Sequence, residues 1–273
     1  MAAQFARLAL MAVEYGQSGL CGVLTPQANT TVEAELWALL SPGQSLINAR
    51  LVSDQNTIEK RLVEYTSRFG ETIEQFANAP INCIAAACTG ASYLIGAERE
   101  AEIVQDMQSR FGVPFITAAL ATVAALRAMN SKRVAILTPY PDSLNKHCVP
   151  YWEGFGLEVI AKAGPALETA AFHPIYAMEG DGVLAAYREL SDTDADVVLM
   201  LGTGMATLGP ILVGLDEGLK PALSCNLALA WAAVQALPWN DLDHTNFEAW
   251  RNAAHWRARY NGLFGSKSAS STS

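Results

Sequence analysis

No apolar run in this chain is long enough to cross a bilayer, so neither a membrane span nor a membrane partner is expected. Basic residues are scarce: 18 Lys and Arg stand against 27 Asp and Glu, a formal net charge of −9. With no Lys/Arg cluster to neutralise phosphates, nucleic acid is excluded as a partner. A small carboxylate stays open as a ligand, because backbone N–H groups at strand-to-helix turns hold one without any lysine. There are only five cysteines, Cys21, Cys83, Cys88, Cys148 and Cys225, and no C-x-x-C. An odd count without that spacing gives neither a disulfide framework nor a zinc site, and a reducing cytoplasm fits best. The four histidines (His147, His173, His244 and His255) lack metal-ligand spacing, so no metal is expected.

What is present is a core-forming composition, 51% hydrophobic over 273 residues, enough for one large or two medium domains. The strongest internal signal is a repeat. Ala86-Ala87-Cys88-Thr89-Gly90 is echoed by Met200-Leu201-Gly202-Thr203-Gly204, each after a short apolar run. Cys88 and Gly202 lie 114 positions apart; the Leu24-Thr25-Pro26 and Leu137-Thr138-Pro139 pair repeats at 113. A third echo, Val113-Pro114 with Lys220-Pro221, comes at 107 and needs a short deletion. Such a period marks an internal duplication.

Strand-like runs alternate with helix-like ones in both halves. Strands are expected at 20–24, 45–52, 81–87 and 113–117, then at 133–138, 157–162, 196–201 and 221–224. Helices are expected from Thr30 or Thr31 to Leu40, then at 57–77, 92–111 and 118–129. The second half adds helices at 143–155, 174–190, 205–214 and 226–236, and 246–260 closes the series. This alternation implies parallel sheets with right-handed crossovers. The fold class is therefore α/β, two pseudo-symmetric parallel-sheet domains with a cleft between them. The expected division is 18–130 plus 226–264 for the first domain and 131–225 for the second. Residues 1–17 read as an N-terminal arm in preference to a signal peptide, and 265–273 as a disordered tail.

In open parallel sheets, ligands bind outside the carboxyl ends of the strands. Thr25 to Asn29, Cys88 to Gly90, Thr138 to Tyr140 and Gly202 to Gly204 all follow strands and should line one cleft. Cys88 is the best catalytic candidate. It precedes residues that open a helix, and a helix N-terminus lowers a thiol pKa. A free cysteine is as readily a small core residue, which is the preferred reading for Cys21, Cys83 and Cys148. Cys225 ends a strand and is within range of the cleft. Asn29 and Tyr140 occupy comparable places after Thr-Pro, and an amide and a phenol both hydrogen-bond carboxylates or enolate oxygens. Thr89, Gly90 and Thr203 offer N–H donors. His147 and His173 read as surface or capping residues.

Several stretches together resemble the aspartate/glutamate racemase superfamily, and within it the maleate cis–trans isomerase and arylmalonate decarboxylase branch. They are Gly22-Val23-Leu24-Thr25-Pro26-Gln27-Ala28-Asn29-Thr30-Thr31-Val32-Glu33, Cys88-Thr89-Gly90-Ala91-Ser92, Leu137-Thr138-Pro139-Tyr140, and Ser224-Cys225-Asn226-Leu227-Ala228-Leu229-Ala230-Trp231. The resemblance implies an inter-domain active site, cofactor-independent chemistry beside a carboxylate, and a homo-oligomer. It makes Cys88 the nucleophile and Asn29 and Tyr140 carboxylate ligands, with Thr89 and Ser92 in the donor loop. Pro26, Gln27, Gly90, Gly202, Thr203 and Cys225 complete the expected substrate site. Gly202 departs from the pattern, because racemases and maleate isomerases carry a second cysteine there. Decarboxylases have the opposite arrangement, glycine at Cys88 and cysteine at Gly202. With one thiol, only one face of a substrate is served, and Gly202 is expected to leave space on the other. The leading expectation is an isomerase of a small mono- or dicarboxylate, maleate-isomerase-like, with Cys88 as nucleophile or proton carrier. The alternative is an arylmalonate-type decarboxylase. Behind these stand an amino-acid or hydantoin racemase, a cysteine hydrolase and a non-catalytic carboxylate-binding protein.

Overall fold

The structure is a computed structural model that describes residues 13–165, 174–237 and 247–265. Most of the N-terminal arm, His173, His244 and all but the first residue of the tail fall outside the described residues. The apolar runs form eight strands: β1 (Gly19–Pro26), β2 (Gln44–Leu51), β3 (Cys83–Ala86), β4 (Phe115–Thr117), β5 (Arg133–Leu137), β6 (Glu158–Ala163), β7 (Val197–Met200) and β8 (Ala222–Ser224). They make two four-stranded parallel sheets, ordered β2-β1-β3-β4 and β6-β5-β7-β8. The second order reproduces the first, as a duplication requires. Register repeats too: Leu24 sits opposite Ala86 as Leu137 sits opposite Met200. The loops after the two central strands of each sheet therefore start side by side. β1, β3 and β7 are buried throughout, as expected of parallel strands covered on both faces.

The helices are α1 (Val32–Leu39), α2 (Ile58–Ser67), α3 (Phe69–Ile73), α4 (Thr89–Phe111), α5 (Ala118–Ala128) and α6 (Asp142–Glu153). They continue with α7 (Gly180–Ser191), α8 (Leu208–Glu217), α9 (Cys225–Gln235), α10 (Glu248–Arg251) and α11 (Arg257–Phe264). α9 packs on α5 and α1, which returns the chain to the first sheet.

Four expected helices are broken, and the 92–111 helix is one of them, kinked inside α4 at Gly96, whose φ is +78° and ψ 161°. The 57–77 helix stops at Arg68 and restarts as α3, then ends in a 3₁₀ turn, Glu74–Phe76. Apolar spacing continues through the break, because Phe69 still turns into the core onto Phe115, with ring centroids 5.4 Å apart. The 174–190 helix is a 3₁₀ turn, Pro174–Ala177, followed by α7, which starts only after the extended Glu179. The 246–260 helix is split into α10 and α11 around Ala253, whose φ is +59°. The 205–214 helix is shifted, beginning at Leu208 and ending at Glu217.

Candidate active site

The four strand-end loops meet. Asn29 Nδ2 donates to Thr203 Oγ1 at 3.3 Å, and Thr203 Oγ1 donates to the Ala87 carbonyl at 2.7 Å. The Thr89 and Tyr140 hydroxyls share a hydrogen bond of 3.2 Å. Each contact joins one half of the duplication to the other. Cys88 is the one thiol these loops contain.

Cys88 is the N-cap residue of α4, the position where a Ser, Thr, Asn or Asp oxygen normally accepts an N–H from the first turn. The neutral thiol makes no such bond. Burial pushes it up to about 12, while the Ala91 and Gly90 N–H groups pull the other way. The expected acidification by the helix N-terminus is therefore overturned. Removing a thiolate from water costs more here than two N–H groups return, so the resting thiol keeps its proton at neutral pH. Tyr140 is also held protonated, chiefly by burial, which leaves its hydroxyl a neutral donor.

The other expected site residues divide. Thr89, fully buried, and Tyr140 stand beside Cys88. Gly90 lies against Leu62, whose Cδ1 is 3.0 Å from the position a Cβ would take. Pro26 ends β1, and Gln27 uses its side-chain oxygen to accept the Ser53 N–H at 2.7 Å. Asn29 has a structural task as well, since its Oδ1 accepts the Thr31 and Val32 N–H groups and so caps α1. Ser92 is turned away: its hydroxyl donates to the buried Glu100, which also accepts from Tyr151. Cys225 opens α9 and is buried, and its thiol meets the Thr122 and Thr89 hydroxyls and the Gly202 N–H.

Gly202 leaves no space, contrary to expectation. Its φ is +83°, and a Cβ there would lie 2.8 Å from Pro139 Cγ, 2.9 Å from Ile175 Cδ1 and 3.3 Å from the Tyr140 hydroxyl. The half-site that would carry a second thiol is filled by Pro139 and Ile175.

Two features escape sequence reasoning. One is Glu35, which belongs to the first turn of α1 but serves another helix. Its buried carboxylate accepts from the Thr207 N–H (2.5 Å), the Leu208 N–H (3.0 Å), the Thr207 hydroxyl and Asn226 Nδ2 (2.8 Å). It thus satisfies the N-terminus of α8 from the first domain. Burial raises its pKa despite those four donors. Asn226 Nδ2 donates to the Thr203 carbonyl as well, at 3.0 Å, tying this network to the site. The other feature is a small cavity of about 180 Å³ lined by Gln27, Ile58, Arg61, Leu62, Tyr65 and Tyr176. Tyr65 and Tyr176 both lie within electrostatic reach of Cys88. The sequence signal was an arginine four residues before a buried tyrosine on α2, which apolar periodicity reads as plain core. A larger cavity of about 840 Å³, bounded by α1, α7, α8 and α11, is not lined by Cys88, Thr89 or Tyr140. Among the described residues, no group of three or more His, Cys, Asp or Glu side chains is placed to hold a metal ion.

Comparison with known proteins adds four findings. The family model of arylmalonate decarboxylase matches residues 21–246. The maleate isomerase of Nocardia farcinica is 28% identical over 226 residues, covering 79% of this chain and 89% of that protein. Among solved structures, the maleate isomerase Iso from Pseudomonas putida S16 superposes with a TM-score of 0.72 at 22% identity, covering 80% of this chain and 92% of that one. A mutant of the Nocardia farcinica maleate cis–trans isomerase with a covalently bound succinylcysteine intermediate gives 0.70 at 24% identity, over 81% and 96%.

Proposed function

This chain belongs to the arylmalonate decarboxylase family, and on that premise we propose that it is an isomerase converting a small cis-unsaturated dicarboxylate to its trans form through Cys88. The observation that carries this reading is the placement of Cys88 at the head of α4 beside the Thr89–Tyr140 hydroxyl pair. In the reaction, Cys88 first gives its proton to solvent, and the thiolate sulfur then adds to one alkene carbon and forms a C–S bond. The π electrons move to the neighbouring carbon and onto its carboxylate, which becomes an enediolate. The Thr89 and Tyr140 hydroxyls and the N–H groups of the α4 first turn are donors for that developing charge. The former double bond rotates as a single bond. The electrons then return, the C–S bond breaks, and the trans product leaves with the thiolate restored. The succinylcysteine adduct of the Nocardia farcinica relative contains the same C–S bond and is this enediolate with one proton added at carbon.

The step that needs help is ionisation. With the thiol pushed up to about 12, forming the thiolate at pH 7 costs about 7 kcal/mol. A second reading follows from that number. A thiol that keeps its proton is suited to donate it to a carbanion left by departing carbon dioxide, as in arylmalonate-type decarboxylation.

The two readings separate in one set of measurements. Maleate and an arylmalonate are each incubated with the protein in D₂O and followed by NMR. Fumarate free of deuterium supports isomerisation; an arylacetate carrying deuterium at the α-carbon supports decarboxylation. The pH profile must agree. A thiolate nucleophile speeds up by about tenfold per pH unit between 7 and 10, whereas a proton donor gives a flat profile. If Cys88→Ser retains full activity with either substrate, both readings are wrong.

A further inference from the structure

We propose that Asn226 and Glu35 are positioning residues, which hold the Cys88 turn in its reactive geometry from across the two halves of the duplication. The proposal rests on the reading of Cys88 as the reacting group. The route is a chain of side-chain contacts. Asn226, the second residue of α9, is buried and uses both hydrogens of its Nδ2. One goes to Glu35 Oε2 at 2.8 Å, the other to the Thr203 carbonyl at 3.0 Å. Thr203 in turn donates its hydroxyl to the Ala87 carbonyl at 2.7 Å, one residue before Cys88. The neighbouring Gly204 carbonyl accepts from the Thr31 hydroxyl at 2.8 Å. Thr31 directly precedes α1, the helix that carries Glu35. The start of α1 therefore grips the 203–204 turn twice, and that turn holds the peptide leading into Cys88.

Two features set this chain apart from ordinary core bonding. Asn226 Oδ1 is buried and has no hydrogen-bond partner. An unpaired amide oxygen away from water is costly, and an apolar residue of similar size would avoid that cost. The orientation that strands Oδ1 is the one that lets Nδ2 serve Glu35 and Thr203 together. The second feature is the division of labour within Glu35. Its Oε1 takes the Thr207 and Leu208 N–H groups at the head of α8, and that oxygen alone would cap the helix. Its Oε2 meets the Thr207 hydroxyl and fixes the Asn226 amide. A reacting group displaced by about 1 Å loses about 10²-fold in rate, so a chain that ends one peptide from Cys88 acts on turnover. Asn29 is pinned separately, because its Oδ1 accepts the Thr31 and Val32 N–H groups. A carboxylate ligand at that position keeps its place when the chain is cut.

The test separates position from stability. Asn226→Leu removes both donors and the unpaired oxygen at nearly constant volume. Glu35→Gln keeps an oxygen for the α8 N–H groups and turns an NH₂ toward the Asn226 NH₂, so the contact between them is lost. Urea midpoints establish that both variants fold. The other readouts are kcat and KM, with maleate or an arylmalonate, and the rate at which iodoacetamide alkylates each cysteine, mapped by peptide mass spectrometry. Asn226→Leu should lower kcat about 10- to 100-fold and Glu35→Gln about 3- to 10-fold, with KM within about threefold of the wild type. Cys88 should be alkylated about tenfold faster in Asn226→Leu, as its turn opens locally, while Cys21 and Cys83 in β1 and β3 keep their wild-type rates. A variant within about twofold of the wild type in both kcat and Cys88 alkylation overturns the assignment of its residue. So does faster alkylation shared by Cys21 and Cys83, which marks a loosened fold instead of a displaced turn. A wild type that turns over neither substrate removes the proposed reactions, and the alkylation pattern then decides alone on Asn226 and Glu35.

Discussion

Gly202 invites a quantitative test, because its surroundings can be read atom by atom. Gly202→Ala adds a single Cβ to a residue at φ +83°. The left-handed conformation costs an L-residue about 1–2 kcal/mol. The new atom also falls 2.8 Å from Pro139 Cγ and 2.9 Å from Ile175 Cδ1, inside normal contact distance, with Ile175 almost fully buried. Forcing one methyl into such packing adds about 1–3 kcal/mol. The expected loss of unfolding free energy is therefore about 2–5 kcal/mol, read from urea denaturation followed by tryptophan fluorescence. A second substitution divides the total. Ile175→Val deletes the offending Cδ1. Alone it should cost about 0.5–1.5 kcal/mol. In the Gly202→Ala background it should instead recover stability, giving a coupling of about 1 kcal/mol or more. Gly202→Cys would behave like the alanine variant and gain no working second thiol. A Gly202→Ala protein within about 0.5 kcal/mol of wild type would refute the reasoning, as would strict additivity with Ile175→Val.

Alkaline pH should destabilise the protein. Burial holds Cys88 and Cys148 up to about 12 and Cys225 up to about 11, against an ordinary value of 9.0. The unfolded chain releases these protons near pH 9 while the folded chain keeps them, so stability falls as pH rises above 9 and the loss levels off at 11–12. At pH 10 the loss is about 1.4 kcal/mol per thiol, or about 4 kcal/mol for the three, measurable as a drop in urea midpoint between pH 8 and pH 10. Cys148→Ala should make the drop smaller by about 1.4 kcal/mol; an unchanged midpoint would contradict the burial argument. Glu35→Ala strips an acceptor from two N–H groups of α8, the Thr207 hydroxyl and the Asn226 amide. Unpaired buried donors cost about 1–3 kcal/mol each, so a net loss of about 3 kcal/mol is expected after relaxation, with a smaller loss for Glu35→Gln. A loss under about 1 kcal/mol would mean that water replaces the carboxylate.

The eight strands and their grouping into two parallel sheets were legible because the strands are short apolar runs and the duplication repeats them, while the strand order within each sheet is set by tertiary pairing. The Leu24-Thr25-Pro26 and Leu137-Thr138-Pro139 echo fell on β1 and β5, which occupy the same place in their sheets. Periodicity could not find the breaks at Arg68 and Ala253. The apolar spacing runs through both, and it reports which face is buried without fixing the backbone between turns. The site was partly legible for the same reason. Cys88, Thr89, Tyr140, Asn29 and Thr203 follow strands, and parallel topology brings such residues together. Ser92 sits three residues beyond Thr89 in α4, and its hydroxyl turns to Glu100. Glu35, Arg61 and Tyr176 reach the site region through tertiary packing, which no local pattern records.

The filled Gly202 side narrows the chemistry further than the missing thiol does. Racemisation by two groups takes a proton from one face and delivers one to the other. Here Pro139 and Ile175 crowd the position a side chain at Gly202 would take, and Cys225, the next thiol, is buried against Thr122, Gly202 and Thr89. Proton traffic is therefore confined to the Cys88 face. Isomerisation by addition and elimination meets that constraint without any proton reaching carbon, since the C–S bond alone interrupts the double bond. Decarboxylation meets it with one proton delivered from one side, giving a single enantiomer. A racemic deuterated product cannot arise from this arrangement. Finding one would mean that the second face opens when substrate binds, with the Pro174–Ala177 turn that carries Ile175 as the segment that has to move.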